Sequence, residues 1–156
     1  MSDSLADARA AVRADHADVL AGVVAVATDL DAEWRDGRAL AAAMRSGLEE
    51  AGLLTAAPSL LETATAAVGE STPAPPVAKP PYVIVTATGL VCRATLSDGR
   101  LVVRVEPFAV RRGQSRGESR ASGPPRYVRV AEAPAAALSV ELVADPSRRS
   151  NDRSAV

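Results

Sequence analysis

Sulfur, imidazole and aromatic rings are scarce in this chain. Its 156 residues include one cysteine, Cys92, and one histidine, His16, and its aromatic residues are Trp34, Tyr82, Phe108 and Tyr127. A single cysteine excludes an internal disulfide. A typical zinc site takes three or four Cys, His or carboxylate ligands, and Cys92 and His16 cannot assemble one. Phosphate-cradling loops of the GxxxxGKS/T or GxGxxG kind are missing, as are HExxH and CxxC. No catalytic residue, cofactor or metal is therefore expected. A carboxylate-based enzyme is the remaining catalytic alternative, although no pair of acids is set apart by spacing from a solvated helix face. The longest apolar stretch, Val19–Ala27, contains Gly22 and falls well short of the roughly 20 residues of a membrane span. The opening MSDSLADARAAVRADH is acidic, with no basic segment leading into an apolar run, so it does not read as a secretory signal. The expected location is cytoplasmic, away from membranes.

What the chain has in quantity is alanine, at 33 positions. Small side chains bury little area each, at roughly 25 cal/mol per Å². Either half of such a chain is marginal alone, and packing of the halves or self-association supports both. The net charge of −1 hides an asymmetry: residues 1–70 carry 12 acidic and 5 basic side chains, and residues 71–156 carry 7 acidic and 13 basic. Such a split points to an internal acid–base match or to an anionic partner for the basic half.

Residues 1–69 read as helical. Leu5, Val12, His16, Val19, Val23, Val26 and Leu30 form one apolar stripe, with Asp3 or Ser4 as a cap. A second stripe runs through Trp34, Ala41, Met44, Leu48 and Ala51, with Asp29, Asp31 and Asp36 as cap candidates between the two. It ends at Gly52, which suits a left-handed C-terminal cap and sets Leu53 near Leu48. A third helix is expected from Pro58, a good first helical residue, to Val68, with Gly69 as its stop. His16 reads as a half-buried histidine bonded within the fold, the functional alternative being a pH switch. Trp34 reads as core, the alternative being an anchor for a partner.

Residues 70–81, ESTPAPPVAKPP, contain five prolines and read as an extended connector. A PxxP recognition peptide at Pro73–Pro76 is the alternative. Residues 82–143 read as antiparallel sheet. Turns at Thr88–Gly89 and Asp98–Gly99 pair Leu96 with Leu101, Ala94 with Val103 and Val85 with Cys92. They place Val83, Val85, Ala87, Leu90, Cys92, Ala94, Leu96, Leu101, Val103 and Val105 on one face. Further strands are expected at 108–112, at 126–131 with Val128 and Val130 inward, and at 138–143, with a helical turn at 134–137. The expected fold is α+β: an N-terminal helical hairpin of two to three helices on a four- to five-stranded antiparallel sheet. Cys92 reads as a small buried hydrophobe rather than a nucleophile. Residues 144–156 read as a disordered tail.

The same register sets Arg93 directly opposite Arg104, an unfavourable like-charge pair that Glu106 or a bound anion can offset. Residues 111–126, RRGQSRGESRASGPPR, read as a mobile Arg-rich loop. The candidate anion-binding residues are thus Arg93, Arg104, Arg111, Arg112, Arg116, Arg120 and Arg126. The loop has no aromatic residue for base stacking. Two functions follow: a non-enzymatic interaction protein that binds itself or another protein, or a nucleic-acid or anion-binding module using the basic half.

Residues Pro80–Val110, PPYVIVTATGLVCRATLSDGRLVVRVEPFAV, together with the acidic opening that contains RADHADVL (Arg13–Leu20), resemble a group of small haloarchaeal proteins of unknown function. The resemblance implies no activity and transfers no site residue. It departs from the strongly acidic haloarchaeal norm, since this chain is nearly neutral. In molar salt the screening length is about 3 Å, which weakens long-range attraction to nucleic acid.

Overall fold

The computed structural model describes residues 2–72, 74–97, 99–112 and 124–144. The apolar stripe of the first thirty residues is divided between two helices. α1 (Ser2–Asp15) and α2 (Ala17–Thr28) meet at His16, whose backbone leaves the helical region at φ −127°, ψ 33°. Asp3 and Ser4 lie inside α1 and so do not precede it as caps. Trp34 is not helical either. It belongs to a two-residue strand, β1 (Glu33–Trp34), because its partner lies far along the chain and no local pattern announces it.

Asp36 starts α3 (Gly37–Glu50), its carboxylate accepting from the amides of Arg38 at 3.0 Å and Ala39 at 3.2 Å. Gly52, at φ 72°, reverses the chain. α4 (Leu53–Ala67) follows at once. The expected start at Pro58 is therefore late. An apolar face that begins at buried Leu53 carries the helix through the proline. Gly69 ends it in a Schellman motif, with Glu70 N donating to Thr65 O and Gly69 N to Ala66 O. The N-terminal layer thus has four helices rather than two or three.

The remaining elements are β2 (Val83–Val85), β3 (Leu90–Leu96), β4 (Gly99–Val105), β5 (Phe108–Arg111), β6 (Arg126–Arg129), α5 (Pro134–Ala137) and β7 (Leu138–Val143). They form two antiparallel sheets, ordered β2-β3-β4-β7 and β1-β6-β5. The class is α+β. No helix of the described residues is long and apolar enough to cross a membrane.

The register differs from the expected one by two residues in both hairpins. Leu96 pairs with Gly99, Ala94 with Leu101 and Cys92 with Val103; Val85 pairs with Leu90 and Val83 with Cys92. The reason lies in two glycines. Gly89 immediately precedes β3 and Gly99 opens β4, at φ 154° and 147°, instead of closing the turns. A Cβ on Gly89 would meet the carbonyl oxygen of Val105, and one on Gly99 that of Val143. Both glycines therefore serve close backbone approach. A shift of two preserves side-chain parity, so the ten apolar residues still share one face. Leu90, Cys92, Leu101, Val103 and Val105 are fully buried there, while Val85 and Ala87 are half-buried. α4 packs on β3 and β4, and α1 packs on β7. Each buried leucine of this layer contributes about 2 kcal/mol.

In the three-stranded sheet the inward side chains of β6 are Tyr127 and Arg129, not the valines. The Tyr127 ring lies against Gly37 at the start of α3, and Arg129 Nη1 donates to the carbonyls of Ala27 at 3.2 Å and Leu30 at 2.9 Å. Val128 takes the other face and Val130 is exposed. The alternation of RYVRV is real, but its phase is set by a polar arginine that caps α2.

Candidate anion site on the outer sheet face

Strand alternation sends every second residue of the four-stranded sheet away from the helices. One outer row is Arg93, Val102 and Glu141; the rows beside it are Thr95, Arg100 and Val143, and Ile84, Val91, Arg104 and Ser139. Tyr82 continues the first row, its carbonyl accepting from Arg93 N at 2.8 Å. The expected opposition of Arg93 and Arg104 does not occur. With the register shifted by two, Arg93 faces Val102, and Arg104 faces Val91 and Ser139.

Arg104 is already neutralised. It forms an ion pair with Glu141, and its Nε lies 3.9 Å from Glu106 Oε1. Glu106 in turn accepts from Thr88 Oγ1 at 2.5 Å. Arg93 is held differently: its Nε donates to the Pro81 carbonyl at 3.1 Å, which orients the guanidinium and leaves its terminal nitrogens as donors. Arg100 lies diagonally from it across the β3–β4 ladder. The two arginines, with Thr72, Pro81, Tyr82, Ala94 and Thr95, line a cleft of about 210 Å³. Among the described residues no carboxylate contributes to the lining, and neither Arg93 nor Arg100 forms an ion pair. Guanidinium forks and hydroxyls converging on a space below the roughly 300 Å³ of drug-sized sites suit a small oxyanion.

The other arginines lie elsewhere. Arg111 and Arg126 are directly opposed across β5 and β6, so a like-charge pair does exist, at the base of the Arg-rich segment. Arg126 Nη1 donates to Glu33 Oε1 at 2.9 Å, and Arg112 is exposed. Arg116 and Arg120 lie outside the described residues, as does the expected tail from residue 145. Arg100 was missed because a turn at Asp98–Gly99 puts it opposite Ser97, at the tip of the hairpin. The observed register sets it opposite Thr95 and beside Arg93.

The remaining singular side chains are bonded or buried within the fold. His16 Nε2 lies 2.6 Å from Thr63 Oγ1 and ties the α1–α2 junction to α4. Trp34 Nε1 donates to the Asp31 carbonyl at 2.8 Å. Cys92 is fully buried, and desolvation pushes its thiol from the usual 9.0 up to about 12, so it stays protonated and out of reach. Among the described residues no three His, Cys, Asp or Glu side chains gather as metal ligands.

The family model for a domain of unknown function (DUF7988) matches residues 6–143. No curated protein and no solved structure matches the chain. The chain belongs to the DUF7988 family, whose function is unknown.

Proposed function

We propose that this protein is a binding module for a small oxyanion of the phosphate or carboxylate kind, held between Arg93 and Arg100. The observation that carries this reading is the cleft itself: two diagonal guanidiniums, one oriented by the Pro81 carbonyl, lie beside Thr72, Thr95 and Tyr82, with no acid among the described lining residues. The outer sheet face also belongs to the basic half of a charge-divided chain. A cytoplasmic, haloarchaeal setting belongs to the same reading. With a screening length of about 3 Å in molar salt, recognition rests on short guanidinium–oxygen hydrogen bonds rather than on long-range steering.

Calorimetric titration and thermal shift test it, with inorganic phosphate, acetate and single-stranded DNA at low ionic strength. Phosphate or acetate binds the native chain. Arg93→Ala and Arg100→Ala each weaken binding about 10-fold or more, as loss of a charged hydrogen bond implies. Arg104→Ala leaves it within a few-fold, since its charge is answered by Glu106 and Glu141. No heat or stabilisation with either small anion overturns the proposal, as does undiminished binding by the Arg93→Ala, Arg100→Ala double variant. DNA binding that survives the double variant assigns nucleic acid to a different surface.

A further inference from the structure

The large hydrophobic side chains left exposed among the described residues are Val77, Val110, Val130 and Val143, none of them on a helix. A self-association surface is therefore better sought at a strand. The four-stranded sheet ends on β2 at one side and β7 at the other. These edges are protected unequally. β2 has three residues and enters from Lys79, Pro80 and Pro81, all of which blunt an edge. β7 has six residues, LSVELV, with no proline or basic side chain.

Its backbone phase follows from one bond. Glu106 N donates to the Ala137 carbonyl at 2.8 Å, which therefore faces β4. Ser139, Glu141 and Val143 then turn their amides and carbonyls to β4, and Leu138, Val140 and Leu142 turn theirs outward. Leu138 O confirms the phase by accepting from Arg9 Nε at 3.1 Å on the outer side. No described backbone group outside the β4–β7 ladder bonds the main chain of Val140 or Leu142.

We propose that β7 pairs with β7 of a second copy of this chain, antiparallel, about a two-fold axis at Val140. Val140 then exchanges both main-chain bonds with the partner's Val140. Leu138 lies opposite the partner's Leu142, and Ser139 opposite the partner's Glu141. This centre uses outward-facing groups and sets no like charges together. A centre at Glu141 would set two carboxylates face to face and call on groups already given to β4. A carbonyl accepts two bonds, so Arg9 does not block Leu138. The two four-stranded sheets become one of eight strands, and the half-buried Val140 and Leu142 gain cover.

Light scattering after size exclusion, over a dilution series of the full chain, is the test. The native chain runs as a dimer that dissociates on dilution. Val140→Pro removes an outward N–H and no bond to β4, so it gives a monomer with native far-UV circular dichroism and a thermal midpoint that no longer depends on protein concentration. Ser139→Glu sets a carboxylate opposite the partner's Glu141 and weakens the dimer about tenfold, because the axis repeats the pair. In its own sheet that carboxylate faces Arg104, so folding is not weakened and unfolding does not explain the loss. Ser139→Lys tightens the dimer. A native chain that stays monomeric at its highest soluble concentration overturns the proposal. So does a dimer insensitive to both Val140→Pro and Ser139→Glu.

Discussion

Arg9, on α1, and Leu138, the first residue of β7, stand 129 positions apart and are joined by a hydrogen bond of 3.1 Å from the guanidinium Nε to the Leu138 carbonyl. The same side chain donates from Nη2 to Ala135 O at 2.5 Å. One arginine thus answers carbonyls of the short α5 and of the strand that follows, and locks the first helix to the last strand. Arg9→Ala is expected to cost about 2 kcal/mol, the scale of a part-buried charged hydrogen bond lost with its carbonyl acceptors left behind. Urea denaturation measures it. Arg9→Lys recovers less than half, because an ammonium cannot serve two carbonyls in the guanidinium's fork geometry.

Gly99→Ala is expected to be among the most damaging single methyl additions. The new Cβ meets the Val143 carbonyl oxygen across the ladder, and the backbone there has φ 147°. The atoms it meets are all backbone of Val143 and Ala144, so nothing flexible gives way, and the cost is about 3 kcal/mol or more. Gly52→Ala, at φ 72° with nothing within 4 Å, costs about 1 kcal/mol, the left-handed penalty alone. Chemical denaturation of the pair separates crowding from conformation; equal losses would refute the close-approach account of Gly99.

The period-two pattern from Val83 to Val105 was legible because parity survives any even shift. The buried face of β3 and β4 follows from side-chain order alone. The register itself was not, because Asp98–Gly99 and Thr88–Gly89 have turn chemistry while their glycines answer to carbonyls on neighbouring segments. The proposed anion cleft depends on that register, so sequence reasoning names Arg93 as a candidate without bringing Arg100 beside it. β1 was invisible for a related reason: Trp34 pairs with Tyr127, and two residues hold no periodicity. Asp36 and Gly52, by contrast, act through bonds to their own helix and were readable locally.

Cys92 predicts an alkaline limit to stability. Burial raises the folded thiol to about 12 from the usual 9.0 of an exposed one. Below pH 9 both states hold the proton and the group leaves stability unchanged with pH. Above 9 the unfolded thiol ionises and the folded one does not, so the unfolded state gains and stability falls as pH rises toward 12. At about 1.4 kcal/mol per pH unit the loss approaches 4 kcal/mol. Denaturation of native and Cys92→Ala proteins from pH 8 upward, compared as a difference, isolates this share from other alkaline titrations. The difference shrinks as pH rises if the buried thiol is responsible. In the native protein at pH 8, a thiol reagent labels Cys92 no faster than global unfolding exposes it.

The single tryptophan, Trp34, reports on Arg129. Its Nη1 joins β6 to the C-terminal carbonyls at Ala27 and Leu30, where α2 ends with no basic residue of its own. The helix dipole favours a cation there, and the guanidinium supplies it from the far half of the chain. β6 holds β1 through Trp34 and Tyr127, so loosening β6 frees Trp34. Arg129→Ala removes both bonds at a cost of about 2 kcal/mol. The loss falls first on the three-stranded sheet, whose contacts with the helices include Arg129 on the end of α2 and Tyr127 on Gly37. Trp34 emission should therefore shift to the red at a lower urea concentration than the helical circular dichroism signal, although the two coincide in the native protein. Coincident transitions in Arg129→Ala would show that the two sheets unfold as one unit and that the arginine does not couple them.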